Sequence, residues 1–285
     1  MKFYIVDAFT EELFGGNPAG VVILEREMDF PEEEVMMKTA AELRYSETAF
    51  VKQLGENEFV IRYFTPTDEV DLCGHATIGT FGCLLEDKKV RQNQPYFLVT
   101  KAGRLEIEIT EGVVYMEMGP AVELETVMDI EEIAEVLGLH PDEIGMEPKL
   151  ISTGLPDIMV HVKTKASLMR IKPDFEALSK LSERLQAVGI HAFALNGENG
   201  IKANCRNFAP FYGIDEEAAT GTSNGALTYY LYKKNLAGRG ELNTFLQGES
   251  MGRPSKVFTI IEKDEPTKIR VGGAYKIVAK GDLRI

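Results

Sequence analysis

Two side chains in this sequence have the types and neighbours needed to move a proton. They are Glu47, in RYSETAFV, and His75, in CGHAT. A carboxyl shut into an apolar setting has its pKa raised, because burial disfavours the charged form. A group tuned in that way can take a proton from one carbon and return it to another. Glu47 runs directly into the strand-like TAFV, so it is either a buried acid at a strand start or a solvent acid beside a possible cap, Ser46. His75 falls where small residues open a helix. There it can donate to a substrate carboxylate, steady a developing oxyanion with neighbouring N–H groups, or simply cap and pack. Cys73 invites a thiol reading, in which two facing thiols work on both faces of a carbon.

The elements that must position these residues are written twice. RYFTPTDEVDLCGHATIGT (62–80) is echoed by RNFAPFYGIDEEAATGT (206–222). Arg62-x-Phe64-Thr65-Pro66 matches Arg206-x-Phe208-Ala209-Pro210, and acids followed by small residues come next in both copies. The flanks repeat as well. Pro18 in FGGNPAGVVIL answers Pro156 in TGLPDIMVHV, and Phe50 answers Phe193. PEEEVMMKTAAEL (31–43) and PDFEALSKLSERL (173–185) both read as amphipathic helices with Pro at the first helical position. Elements in one order at a nearly constant offset indicate an internal duplication.

Each half reads as strand, turn, strand, helix, strand pair, small-residue loop and helix. The predicted strands are 3–8, 20–24, 49–53, 58–64, 96–100, 104–109 and 113–118, then a similar set ending in 257–262, 267–272 and 276–281; a helix is predicted at 130–138. Strands clustered around few helices predict an α+β fold with mainly antiparallel or mixed sheets, in two pseudo-symmetric halves, 1–120 and 121–285, with the last strand free to pack on the first half. Paired halves create a cleft, and ligands favour such places. Each small-residue loop would then point unsatisfied helix N–H groups at one ligand.

The duplication also sorts the candidates. Glu47 aligns with Ile190, so the acid has no partner in the second half. The position matching Cys73 is Ala218 or close to it, so only one thiol is present where two are needed. Glu217 either orients a ligand amine or hydroxyl or holds its helix start; Thr222 is either a ligand donor or a cap. Gly15, Gly16 and Asn17 suit a tight turn lining the cleft. Arg62 and Arg206 read as structural ion-pair partners, and His140, His161 and His191 as structural.

Composition limits the partners. The chain has 285 residues, 44% hydrophobic and 27% charged, as expected of a soluble globular protein. A net charge of −14 argues against nucleic acid, which demands cationic contacts to phosphate, and means that any anion site must be built locally. No apolar run approaches a membrane span, and the N-terminus lacks the marks of a signal peptide. Three scattered cysteines make neither a disulfide framework nor a zinc site, and fit a reduced cytoplasmic location. No P-loop, dinucleotide fingerprint or metal-ligand spacing occurs, so no cofactor and no metal is expected.

GGNPAGVVIL, SETAFV, RYFTPTDEVDLCGHAT, the acid-acid-x-A-T-G block and QGESMGRPS together resemble the phenazine-biosynthesis PhzF-like family, of the diaminopimelate-epimerase-like fold. The resemblance implies twin domains, each a sheet wrapped around a central helix, and a cofactor-free site. The family's phenazine enzyme isomerises a ring carboxylate by moving a proton between carbons. Its acid/base glutamate falls on Glu47, and its histidine on His75, with Gly74 supplying backbone N–H. The catalytic candidates are therefore Glu47, His75 and Glu217. The substrate-binding candidates are Gly16, Asn17, Ser46, Gly74, Ala76, Thr220, Gly221 and Thr222. The second block departs from the usual E-D-P-A-T-G-S: Glu217 replaces an aspartate, Ala218 a proline and Thr222 a serine. The implied activity is a cofactor-independent isomerase for a small anionic substrate, and the implied assembly a homodimer. A thiol racemase, or a non-catalytic binding protein on the same fold, is the alternative.

Overall fold

Burial alternates with a period of two along EFVIRYF and SKVFTII, and each stretch forms a strand with one buried face. The computed structural model describes residues 1–285. The chain divides into two units, residues 1–117 with 272–285 and residues 118–271. Unit 1 begins with β1 (Lys2–Ala8), β2 (Asn17–Ile23), α1 (Glu33–Leu43), β3 (Thr48–Gln53), β4 (Glu58–Phe64) and β5 (Glu69–Val70). It continues with α2 (Gly74–Glu86), β6 (Pro95–Thr100), β7 (Gly103–Thr110) and β8 (Val113–Glu117). Unit 2 opens with β9 (Val122–Leu124), α3 (Ile130–Leu137), β10 (Lys149–Ser152), β11 (Pro156–His161), α4 (Lys165–Arg170) and α5 (Phe175–Leu185). Then come β12 (Ile190–Leu195), β13 (Ala203–Ala209), β14 (Ile214–Glu217), α6 (Gly221–Lys233), β15 (Leu242–Gln247), β16 (Ser255–Ile261) and β17 (Ile269–Gly273). The chain ends in β18 (Tyr275–Asp282), which pairs antiparallel with β1.

The expected α+β class and mixed sheets are present, and the duplication is visible in the ladders. In unit 1, β1–β2 is antiparallel, β2–β3 parallel, β3–β4 antiparallel, β4–β6 parallel and β6–β7 antiparallel. In unit 2, β10–β11, β11–β12, β12–β13, β13–β15 and β15–β16 repeat that order of senses. Each unit has one helix following its short strand. α2 is apolar nearly all round, as a buried helix must be, and packs on β1, β2, β3, β8 and β18. Glycine permits that contact: a methyl at Gly82 would lie 2.4 Å from the Tyr275 ring.

Two details differ from the sequence reading. Pro31 and Pro173 lie one residue before the helix caps, Glu32 and Asp174, and outside the first turn; in α5 the Asp174 carboxylate takes the cap by accepting from Ala177 N–H at 3.0 Å. Register also shifts one of the expected matches. Phe50 and Ala192 each pair with the arginine of the neighbouring strand, Arg62 and Arg206, so Phe50 answers Ala192 and not Phe193.

Those two arginines do in each unit what the sequence reading assigned them. Arg62 makes a two-pronged bond to Glu69 (2.7 and 2.6 Å), and Arg206 makes the same bond to Glu216 (2.8 and 2.7 Å). Each guanidinium also lies over a strand phenylalanine, Phe64 or Phe208. The latch fastens the short strand that leads into α2 or α6. Arg206 further donates to the carbonyls of Leu168 and Ile171.

Arg206→Ala would strand Glu216 and both carbonyls, and is expected to lower the unfolding free energy by about 3–5 kcal/mol in urea denaturation. Arg62→Ala is expected to lose less, because Lys101 stays 2.6 Å from Glu69.

Candidate active site

Three backbone segments of unit 1 converge. The first is the loop from β1 to β2, where Phe9, Phe14 and Gly16 have φ of 64°, 67° and 62°. A Cβ at Gly16 would lie 2.1 Å from Ala8 O, so this turn demands glycine. It delivers Asn17, buried at the start of β2, with Nδ2 3.2 Å from His75 Nδ1. The second segment precedes β3. Glu47 O accepts from Gly20 N–H at 3.2 Å, so the parallel β2–β3 ladder extends back to fix Glu47. The third is the start of α2, with Cys73 at the N-cap, Gly74 first in the helix and His75 second.

His75 sits at the centre of this cluster. Its Nε2 lies 3.2 Å from Glu47 Oε2 and 3.5 Å from Ser46 Oγ; its Nδ1 lies 3.5 Å from Cys73 Sγ. The imidazole is 4% exposed and the Glu47 side chain 12%, so Glu47 is not a solvent acid. Glu47 Oε2 is buried against the His75 imidazole. Ser46 lies past the end of α1, whose C-cap is Arg44, and caps no helix. Gly16 and Ala76 are buried, and Gly74 is half-buried.

Burial alone was expected to raise Glu47. It does push upward, but the hydrogen bond and charge of His75, with bonds from Ser46 and Cys73, outweigh it and hold the carboxyl below its ordinary range. Burial likewise disfavours the imidazolium. The charges and hydrogen bonds of Cys73 and Glu47 reverse that and lift His75 well above its ordinary value. The resting pair is thus carboxylate and imidazolium. The Cys73 thiol is pushed up to about 11, first by burial and then by the Glu47 charge, so it stays protonated at neutral pH.

Ladder register corrects two pairings between the halves. Gly20 faces Thr48 as Ile158 faces Ile190, so Glu47 answers Gly189 and not Ile190. Gly189 O accepts from Ile158 N–H as Glu47 O accepts from Gly20 N–H. Position 189 has no room for a side chain: a Cβ there would lie 1.8 Å from Phe208 O. Cys73 answers Thr220, the N-cap of α6, and not Ala218. The mismatch arises at the 3-residue turn Pro210–Tyr212, which lengthens the second strand connection. His75 then answers Thr222.

In unit 2, Thr220 donates to Glu217 Oε2 at 2.5 Å, and Gln247 Nε2 donates to both Glu217 O (2.8 Å) and Thr220 Oγ1 (3.1 Å). Gly221 is buried and begins α6, and Thr222 is half-buried inside its first turn, so Thr222 is not the cap. The sequence reading missed a buried polar set beneath this helix start: Asp157, His191, Asn207 and Ser223. The available signal was an acid in DIMVH, a strand otherwise buried. His140 caps a single turn, and His161 packs against Phe193 with ring centroids 5.2 Å apart.

A probable proline racemase from Agrobacterium radiobacter shares the fold, with a TM-score of 0.64 over 100% of this chain and 93% of its own, at 12% identity. A tighter match is the crystal structure of a PhzF-family phenazine biosynthesis protein from Bacillus anthracis, with a TM-score of 0.89, 27% identity, and coverage of 100% and 99%. An uncharacterized isomerase of Clostridium acetobutylicum is 32% identical over 99% of this chain and 97% of its own. Residues 6–281 match the phenazine biosynthesis-like protein family, and the chain belongs to it. No helix is long and apolar enough to cross a membrane.

The linkage of the pair has a definite sign. Glu47 has a depressed pKa, so its contribution to stability is present above the unfolded carboxyl value and is lost as pH falls through the folded one. His75 has a raised pKa, so its contribution is complete below the unfolded imidazole value and is lost as pH rises through the folded one. In an NMR titration of the imidazole nitrogens, His75 is expected to remain protonated beyond the ordinary histidine range. Glu47→Gln should pull its midpoint down.

Proposed function

We propose that the chain is a cofactor-independent isomerase that shifts a proton within a small cyclic or amino carboxylate, with Glu47 as the general acid/base. The observation that carries this is Glu47 Oε2: buried, and 3.2 Å from the Nε2 of a histidine that opens a buried helix. The carboxylate takes a proton from one substrate carbon, and the electron pair left behind delocalises toward the substrate's acceptor group. The resulting carboxylic acid returns the proton to a second carbon, so no atom or electron is gained or lost. His75 and the first N–H groups of α2 hold the substrate anion and the charge that develops, with Asn17 and Ser46 fixing the ring. Relatives named as uncharacterized isomerases support the same class. Glu217, Thr220 and Thr222 offer acceptor and donor groups at the start of α6, and we assign them to substrate binding.

A thiol-based racemase is the weaker reading. Cys73 is held as a thiol, and its counterpart is Thr220. General acid–base action of this kind contributes about 10²–10⁴ in rate.

The test follows solvent deuterium into carboxylates selected by thermal shift from a panel of cyclic and amino acids. Glu47→Gln is expected to abolish incorporation while retaining the thermal shift, and Cys73→Ala to keep both. Full exchange in Glu47→Gln would remove Glu47 from the mechanism.

A further inference from the structure

Unit 2 carries a buried acid that the proton transfer above does not use. Asp157, on β11, is 1% exposed. Its Oδ2 accepts from Ser223 Oγ at 2.6 Å, and its Oδ1 is buried with no hydrogen-bond partner. Ser223 stands in the first turn of α6 and also accepts from Asn207 Nδ2 at 3.1 Å. Asn207 lies directly opposite Glu217 in the β13–β14 ladder. On the same turn, Asn224 donates to Gln247 Oε1 at 2.8 Å, and Gln247 holds Thr220, which donates to Glu217. Two carboxyls therefore flank one helix start, Asp157 bonded to Ser223 in its first turn and Glu217 to its N-cap, Thr220.

The fold does not require this acid. By ladder register, Asp157 answers Ala19, His191 answers Ala49, Asn207 answers Tyr63 and Glu217 answers Val70; by helix position, Ser223 answers Ala76. Unit 1 builds the same strands and helix start without a buried carboxyl there. A buried, half-satisfied acid costs stability, so its presence in one half alone points to a task.

We propose that Asp157 is a positioning residue for the Glu217–Thr220 pair, its protonation state setting both the hydrogen-bond direction at Ser223 and the charge that Glu217 feels. Ionised, Asp157 accepts from Ser223. Neutral, it can donate to Ser223 Oγ, whose own proton must then turn elsewhere within the first turn of α6. Burial above all, with the charge of Glu217 behind it, pushes Asp157 up to about 7 against the bond from Ser223. The other titratable group in the network, His191 on β12, is pushed down to about 3 by burial and stays neutral. The switch therefore belongs to Asp157. Its consequence for ligand binding rests on the role assigned to Glu217 above.

The test needs no substrate, so it stands apart from that assignment. Carbon-13 label is placed at glutamate carboxyls, and the Glu217 resonance is identified by its loss in Glu217→Gln. The wild-type Glu217 signal is expected to show a second inflection near pH 7, which disappears in Asp157→Asn. Ser223→Ala keeps the acid but removes the bond to its ionised form, and should move that inflection upward; it also decides the matter if Asp157→Asn fails to fold. A single inflection in the wild type, or a second one that persists unchanged in Asp157→Asn or Ser223→Ala, overturns the proposal.

Discussion

A carboxylate that has lost its water keeps its charge only where donors and an opposite charge replace the solvent. At Glu47 the replacement is His75, helped by Ser46 and Cys73, and the surrounding architecture serves to hold that imidazole. Asn17 flanks the ring on its far side, and its position depends on a left-handed turn that ends at Gly16. The ring stands on the second residue of α2, and α2 is immobilised by burial on nearly every face. The parallel β2–β3 ladder supplies the last coordinate by tying Glu47 O to Gly20. Loss of any one of these supports leaves a charge buried without its partner, which is far less stable than never having buried it.

Net charge gives the arrangement a further reason. A chain of net charge −14 repels anions at long range, so an anionic substrate must be attracted by something local and screened from the rest. An imidazolium held on a helix N-terminus is such a device, because the helix end and the cation have the same sign. The neighbouring carboxylate that stabilises the imidazolium is also the group to which we assign the proton transfer.

Much of this was legible in the sequence because it is encoded by spacing. The repeated Arg-x-Phe-x-Pro announced the two latches, and the small residues after the acids announced two helix starts. Glu47, His75 and Asn17 could be named because each stands at a boundary between elements, where polar residues are not needed for packing. The failures share one cause. Ladder register depends on hydrogen bonds between distant strands, and a residue or two of slippage changes every match. Aligning Glu47 with Ile190 and Cys73 with Ala218 followed from sliding one string along another; the extra turn at Pro210–Tyr212 and the pairing of β11 with β12 settle on Gly189 and Thr220. The sign of the Glu47 shift was missed because burial can be guessed from sequence, whereas the donors that oppose it cannot. Asp157 was overlooked because the one signal, an acid in the otherwise buried strand PDIMVH, shows its meaning only once the burial of both faces is known.

The correction at position 189 has a chemical consequence. Inverting a carbon centre calls for an acid and a base on opposite faces of the substrate, whereas moving a proton between two carbons on one face calls for a single group that alternates between the two roles. A symmetric scaffold would suit the first task, with one base from each half. This chain forbids that outcome at the Glu47 position, because the Phe208 carbonyl lies 1.8 Å from where any Cβ at Gly189 would be. The thiol reading lacks a second thiol, since Cys73 is answered by Thr220, whose hydroxyl is committed to Glu217. An unmirrored Glu47 and a Cys73 held protonated are the two features on which we rest the proposal of one-base proton shuttling.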